Sequence, residues 1–252
     1  MGVNRLTKAQ VKWVRSLQNK KVRDELGLFV AEGEKCVNDL KGAFRLELLV
    51  TPENATQTEI EQMSSLRTPQ GVIGVFHKDN HPVSEEDDGI ESSGLVVALD
   101  GVQDPGNMGT ILRTCDWFGV RQVYCSQDTV DCFNPKVVQA TMGALARVRV
   151  QYVDMEVWLG RQRAAGRDIY GMLLDGRDMY EAGAIGSNDK AIIVMGNEGN
   201  GLSAAVRKIV TQPLYIPPYP RDAKTSESLN VSVATAVVLA EFRRIRRIQS
   251  AD

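Results

Sequence analysis

Histidine and cysteine are scarce. The two histidines, His77 and His81, sit together, and the four cysteines, Cys36, Cys115, Cys125 and Cys132, show no C-x-x-C spacing. Neither a zinc site nor a disulfide framework is expected, so the thiols are read as reduced and mostly buried. Long apolar runs are missing as well. No stretch approaches the roughly 18 uncharged apolar residues of a membrane span. The first 23 residues carry seven Lys or Arg without an apolar core, so no secretion signal is expected and the reading is cytoplasmic. A large excess of one charge is also lacking. The net charge of -2 excludes a protein that coats nucleic acid through bulk charge. Finally, neither G-x-G-x-x-G nor G-x-x-x-x-G-K-[ST] occurs, which removes the main support for a dinucleotide-dependent oxidoreductase or a P-loop hydrolase.

What is present is a chain of 252 residues, 43% of them apolar, enough for one large or two small cores. Its charge is sorted by segment. Residues 1–23 hold seven bases and no acid, whereas "HPVSEEDDGIESSG" (His81 to Gly94) holds five acids and no base. That polar stretch reads as a linker over 80–94, dividing a domain at 1–79 from one at 95–252. In the first domain "TKAQVKWVRSLQ" has helical period: Lys8, Lys12 and Arg15 share a narrow arc opposite Val11, Trp13, Val14 and Leu17. The basic stripe reads either as a solvated helix face or as a phosphate contact. "LFVAEG", "LELLV" and "GVIGVF" alternate with helical stretches, giving a small α/β domain.

The second domain alternates more regularly. "LVVALD", "RQVYCS", "VRVQYV", "DIYGMLL", "AIIVMG" and "PLYIP" are short apolar strand candidates separated by helix-length segments. Such alternation implies a buried parallel sheet with helices on both faces, and ligands then bind beyond the carboxyl ends of its strands. Three strand ends carry unusual loops. "LDGVQDPGNMGTILRTCDWFG" offers a turn at Asp104 to Gly106, an N-cap candidate in Asn107, and Arg113 within two helical turns. "IVMGNEGNGLS" packs three glycines around Glu198, which suits a hydroxyl, an amine or an arginine better than a phosphate. "IPPYPRDAKTSESLNVSVA" ends a strand on prolines and restarts a helix with Ser226, Ser228 and Asn230 as capping side chains. That helix ends in "RRIRR" (Arg243 to Arg247), placed either to complement the helix dipole or to contact phosphate.

In order and wording, "DPGNMGTILRT", "GNEGNGLS" and "IP…SESLNVSVA", with "NPKVVQATMGAL" between the first two, resemble the SpoU/TrmH family of RNA 2′-O-ribose methyltransferases of the SPOUT superfamily. "SLQNKKVRDELGLFVAEG" and "TPQGVIGVF" look like the small L30e-like substrate-binding domain that precedes the catalytic domain in many members. The resemblance implies an α/β SPOUT domain with a parallel sheet and a C-terminal trefoil knot, S-adenosylmethionine as cofactor, no metal, and a homodimer formed through the knotted domain. It implies an RNA substrate, ribosomal 23S RNA rather than tRNA; a tRNA methyltransferase and a non-catalytic RNA-binding protein of the same fold are the alternatives. It places Gly196, Ile216 and Leu229 at the cofactor and Arg113, Asn107, Glu198, Ser228 and Asn230 at the catalytic centre. With an RNA substrate, Lys8, Lys12, Arg15, Lys20 and Lys21 become the candidate RNA-binding residues. One departure stands out. Nine residues, "PYPRDAKTS", separate Ile-Pro from Glu-Ser-Leu-Asn where the family has fewer. Tyr219, Arg221 and Lys224 in that extension read as a solvated bulge or as an added RNA contact.

Overall fold

A capping box opens the basic helix near the N-terminus. The Thr7 hydroxyl accepts from the Gln10 amide, and the Gln10 side chain accepts from the Thr7 amide. Helix α1 (Lys8–Ser16) follows, then α2 (Lys20–Leu26), which Gly27 ends in the left-handed region. The computed structural model describes residues 5–78, 94–181, 183–186, 190–221, 226 and 228–249. The acidic stretch read as a linker, Gly94 apart, and Lys224 lie outside the described residues.

Strands β1 (Leu28–Glu32), β2 (Leu46–Val50) and β3 (Ile73–His77) form an antiparallel sheet in the order β1-β3-β2, with helices α3 (Glu34–Lys41) and α4 (Gln57–Met63) between them in sequence. All five residues of β1 are buried, so both faces of this strand are covered. Leu28 and Val30 pack with Val11, Val14 and Ile60 of α1 and α4. On the other face Phe29 meets Phe76, Phe44 and, with ring centroids 4.6 Å apart, Phe133. Phe133 comes from far along the chain. It belongs to Asp131–Arg147, which contains α6 (Pro135–Thr141) and groups with the N-terminal residues rather than with the sequence on either side of it. The division at 79 and 95 drawn from polarity does not anticipate this. A buried ion pair fixes the segment: Arg23 of α2, 1% exposed, donates to Asp131 at 2.6 Å and to the carbonyls of Leu17 and Gln18.

The second unit is built on six parallel strands in the order β6-β5-β4-β8-β7-β9. These are β4 (Leu95–Asp100), β5 (Gln122–Ser126), β6 (Arg149–Val153), β7 (Asp168–Asp178), β8 (Ala191–Gly196) and β9 (Gln212–Tyr215). The parallel sheet expected from the alternating pattern is present, and β4 and β5 are buried along their whole length. Helices α7 (Met155–Ala164) and α8 (Ala204–Ile209) share a core with the sheet, in which Trp158 stacks on Tyr124 at 4.0 Å. Helices α5 (Pro105–Trp117) and α9 (Val231–Gln249) pack against each other. The basic end of α9 is partly used internally. Arg243 donates to the Phe118 carbonyl, just beyond α5, and Glu241 pairs with Arg244. The sheet runs outward from β4 to β6, then returns across β4 so that β8 lies beside it. The direction of winding therefore reverses between β4 and β8, the place where open α/β sheets take their ligands.

Candidate active site at the carboxyl ends of β4 and β8

Asp100 and Gly196, the last residues of β4 and β8, are register partners. From this shared end the two loops are locked together. Buried Asp100 accepts from the Ser203 amide at 2.7 Å, and Asn197 Nδ2 donates to the Gly101 carbonyl at 2.7 Å. Asn197 Oδ1 also accepts the amides of Gly199 and Asn200, and its backbone exchanges two hydrogen bonds with Gly201. The result is a tight ring over Asn197–Gly201 that folds back onto its own strand. A Cβ on Gly196 would lie 2.3 Å from the Gly201 carbonyl carbon, so only glycine permits this closure.

A second set of hydrogen bonds gathers three of the five expected catalytic residues, Asn107, Glu198 and Asn230. Asn107 Nδ2 donates to Glu198 Oε1 at 3.0 Å, and Asn107 Oδ1 accepts from Asn230 Nδ2 at 2.9 Å. Asn107 thus turns its NH2 to the Glu198 carboxylate and its oxygen to the Asn230 amide. Asn230 then has its oxygen free to cap α9, accepting from Ser232 and Val233. One amide thus connects the loop after β4, the glycine-rich loop after β8 and the entry to α9. Asn107 does this from inside the helix. The N-cap of α5 is Asp104, whose carboxylate accepts the Asn107 amide, and Pro105 fills the first turn. The expected cap at Asn107 is therefore displaced by three residues, which frees its side chain for the junction.

Other expected residues are nearby in the chain but outside this network. Ile216 follows β9 half-buried, while Ser228 and Leu229 are exposed just before Asn230. Arg113 lies on the outer face of α5 with Thr110 and Trp117, exposed, and has no hydrogen bond or ion pair among the described residues. Sequence reading missed Asp100, Asn197 and Ser203, which hold the loops in place, and took Asp104 only as part of a turn. Their only signals were an Asp or Asn at a strand end and a Ser before a helix.

The basic residues of the first unit separate into two groups. Lys8, Lys12 and Arg15 are exposed and unpaired among the described residues. Lys20 binds Asp24 at 2.6 Å and Lys21 approaches Glu25 at 3.8 Å. Hydrogen bonds from Lys20 and Lys78 hold the Asp24 carboxyl down at about 2, and the bond to Asp24 raises Lys20. All four cysteines are buried; burial pushes the Cys36 thiol up to about 11 and Cys115 higher still. Among the described residues no group of three His, Cys, Asp or Glu could hold a metal, and no helix is long and apolar enough to cross a membrane.

Both parts of the chain are similar to known proteins. Residues 8–64 match the MRM3-like substrate binding domain. The 23S rRNA (guanosine(2553)-2′-O)-methyltransferase RlmP of Bacillus subtilis is 29% identical over 250 residues, covering 93% of this chain and 96% of the relative. A TrmH-family protein from Porphyromonas gingivalis has a solved structure with TM-score 0.85 and 38% identity, covering 95% of this chain and 99% of that one. An AdoMet-bound rRNA methyltransferase from Sinorhizobium meliloti superposes with TM-score 0.79 at 32% identity, over 96% and 97% of the two chains. Residues 94–240, more than half of the sequence and all of the loops just described, match the SpoU rRNA Methylase family, to which this chain belongs.

Proposed function

We propose that the protein transfers a methyl group from S-adenosylmethionine to a ribose 2′-hydroxyl of 23S ribosomal RNA, in the cytoplasm. The observation that carries the reading is the Asn107 junction, which draws the three motif loops together at the switch point of a SpoU-family sheet. The residues fit the cofactor. The closed glycine ring offers exposed backbone at Gly199–Gly201, and Ile216 and Leu229 supply apolar walls, the mixture that an adenosine and a methionine chain require. Gly196, Ile216 and Leu229 would hold it.

When bound, S-adenosylmethionine supplies a methyl already activated by its positive sulfur, so the protein has to orient the hydroxyl and stabilise its developing charge. Arg113 has a guanidinium free for that purpose. A guanidinium is very hard to deprotonate, so its role here is to orient and stabilise rather than to accept the proton. Asn107, Glu198, Ser228 and Asn230 fix the ribose side of the site through hydrogen bonds. The first unit binds the RNA, with Lys8, Lys12 and Arg15 on phosphates. The C-terminal segment, which leaves the sheet edge at β9 and returns to pack α9 on α5, is the part that would thread the knot. Trp117 of α5, 85% exposed, and Val233 of α9, 50% exposed, are large uncovered apolar residues on these two helices, which would form the homodimer.

The direct test is methyl transfer to deproteinised 23S RNA from a strain lacking the gene, with the lost ribose methylation mapped. Transfer to tRNA alone, or no binding of S-adenosylmethionine in a calorimetric titration, would reject the reading. Two variants probe its parts. Gly196→Ala forces the glycine ring off its strand and is expected to weaken S-adenosylmethionine binding by about tenfold or more, the scale of an overpacking cost; an unchanged titration would place the cofactor elsewhere. Removing Lys8, Lys12 and Arg15 together is expected to lower the slope of log affinity against log salt by roughly 2 to 3. If the slope stays as in wild type, the stripe is a solvated face.

A further inference from the structure

The extension after Ile216 is closed on itself. In the β7–β9 ladder Asp178 is the register partner of Tyr215, and the Met179 amide donates to the Tyr215 carbonyl at 3.0 Å. Six residues after Tyr215 the Arg221 guanidinium donates to the carboxylate of the same Asp178, whose side chain is only 9% exposed. The second carboxylate oxygen accepts the Tyr180 amide at 2.8 Å, so Asp178 is held from both sides. The loop Ile216–Pro220 therefore has its two ends tied to the adjacent residues Met179 and Asp178, and Pro217, Pro218 and Pro220 each fix a backbone dihedral within it.

Arg221 is thereby committed to the loop, but Tyr219 is not. Its side chain is 96% exposed, the most exposed of the large apolar side chains among the described residues. An aromatic ring held in water by a proline-stiffened loop gains no stability from its position. It loses little entropy, however, when a flat partner covers it. Three residues of chain place it at most about 11 Å from Ile216. We propose that Tyr219 is a stacking platform for an unpaired base of the RNA substrate, presented by the Asp178–Arg221 clamp. This rests on the functional reading above and names a contact made by the part of the chain that departs from the family pattern. Single-stranded bases stack on exposed aromatic rings with little dependence on sequence, and the contact adds no phosphate neutralisation.

The test uses the full chain, with labelled single-stranded oligoadenylate for binding and deproteinised 23S RNA for turnover. Tyr219→Ala is expected to raise the Kd for oligoadenylate and the KM for RNA roughly 5- to 100-fold. Affinity for S-adenosylmethionine and the salt slope should stay at wild-type values. Tyr219→Phe should bind like wild type, and Arg221→Ala should weaken RNA binding in the same direction but less. Wild-type RNA affinity in Tyr219→Ala would overturn the proposal, as would equal loss in Tyr219→Phe, or a Tyr219→Ala protein whose oligomeric state has changed. A wild-type protein that neither binds S-adenosylmethionine nor methylates RNA would instead reject the functional reading.

Discussion

Alanine in place of Arg113 is expected to lower methyl transfer by roughly 10²-fold or more, the loss typical of removing one transition-state donor. S-adenosylmethionine binding and melting temperature should stay near wild type. Two observations make this separation sharp. Arg113 is exposed and has no partner among the described residues, so its removal breaks no contact within the protomer. The residues that hold the loops, Asn107, Asn197, Asp100 and Asn230, are satisfied without it. A fall in rate at saturating cofactor and RNA therefore reports on chemistry. Lysine at the same position should recover part of the rate, since it restores the charge but not the planar fork. Near-normal turnover in Arg113→Ala would remove this side chain from the mechanism.

The contrast between Arg113 and Asn107 also shows what the sequence made legible. The strand ends were readable because the parallel sheet needs continuous apolar runs, and β4 and β8 begin and end where those runs do. The three loops were readable because glycine, proline and capping residues cluster only where the chain turns. The wiring between loops was not. Both Asp104 and Asn107 are good caps by residue type, and the choice depends on Pro105, whose missing amide suits the first turn. Nor could polarity show that Glu198 would meet an asparagine 91 positions earlier in the chain. The fate of Arg221 depended on Asp178, an acid that β7 reaches only by extending past the expected end of the strand, through a register break at which Met172 and Arg177 both face Leu214. Likewise Lys20 and Lys21 read as free bases until Asp24 and Glu25, one turn on, are seen to pair with them.

The segment Asp131–Arg147 was the least legible part, and the largest stability effect is expected there. Arg23→Met leaves the Asp131 carboxylate, 10% exposed, without its partner, and strips donors from the Leu17 and Gln18 carbonyls. Breaking one side of a buried pair costs about 3–5 kcal/mol. The pair itself is not fully satisfied, since Arg23 Nε has no hydrogen-bond partner among the described residues. An apolar replacement of both residues should therefore be tolerated better than either single change, and Arg23→Met combined with Asp131→Leu is expected to unfold at higher denaturant than Arg23→Met alone. Strictly additive losses would show that the two charges act independently. Hydrogen exchange supplies the spatial readout. Because Phe133 completes the far face of β1, loosening the ion pair should raise exchange in α6 and in β1 and β3 together, although more than 50 residues of chain separate them. Exchange that rises near Arg23 but leaves α6 protected would mean that the aromatic contact alone anchors this segment of the methylase sequence to the N-terminal unit.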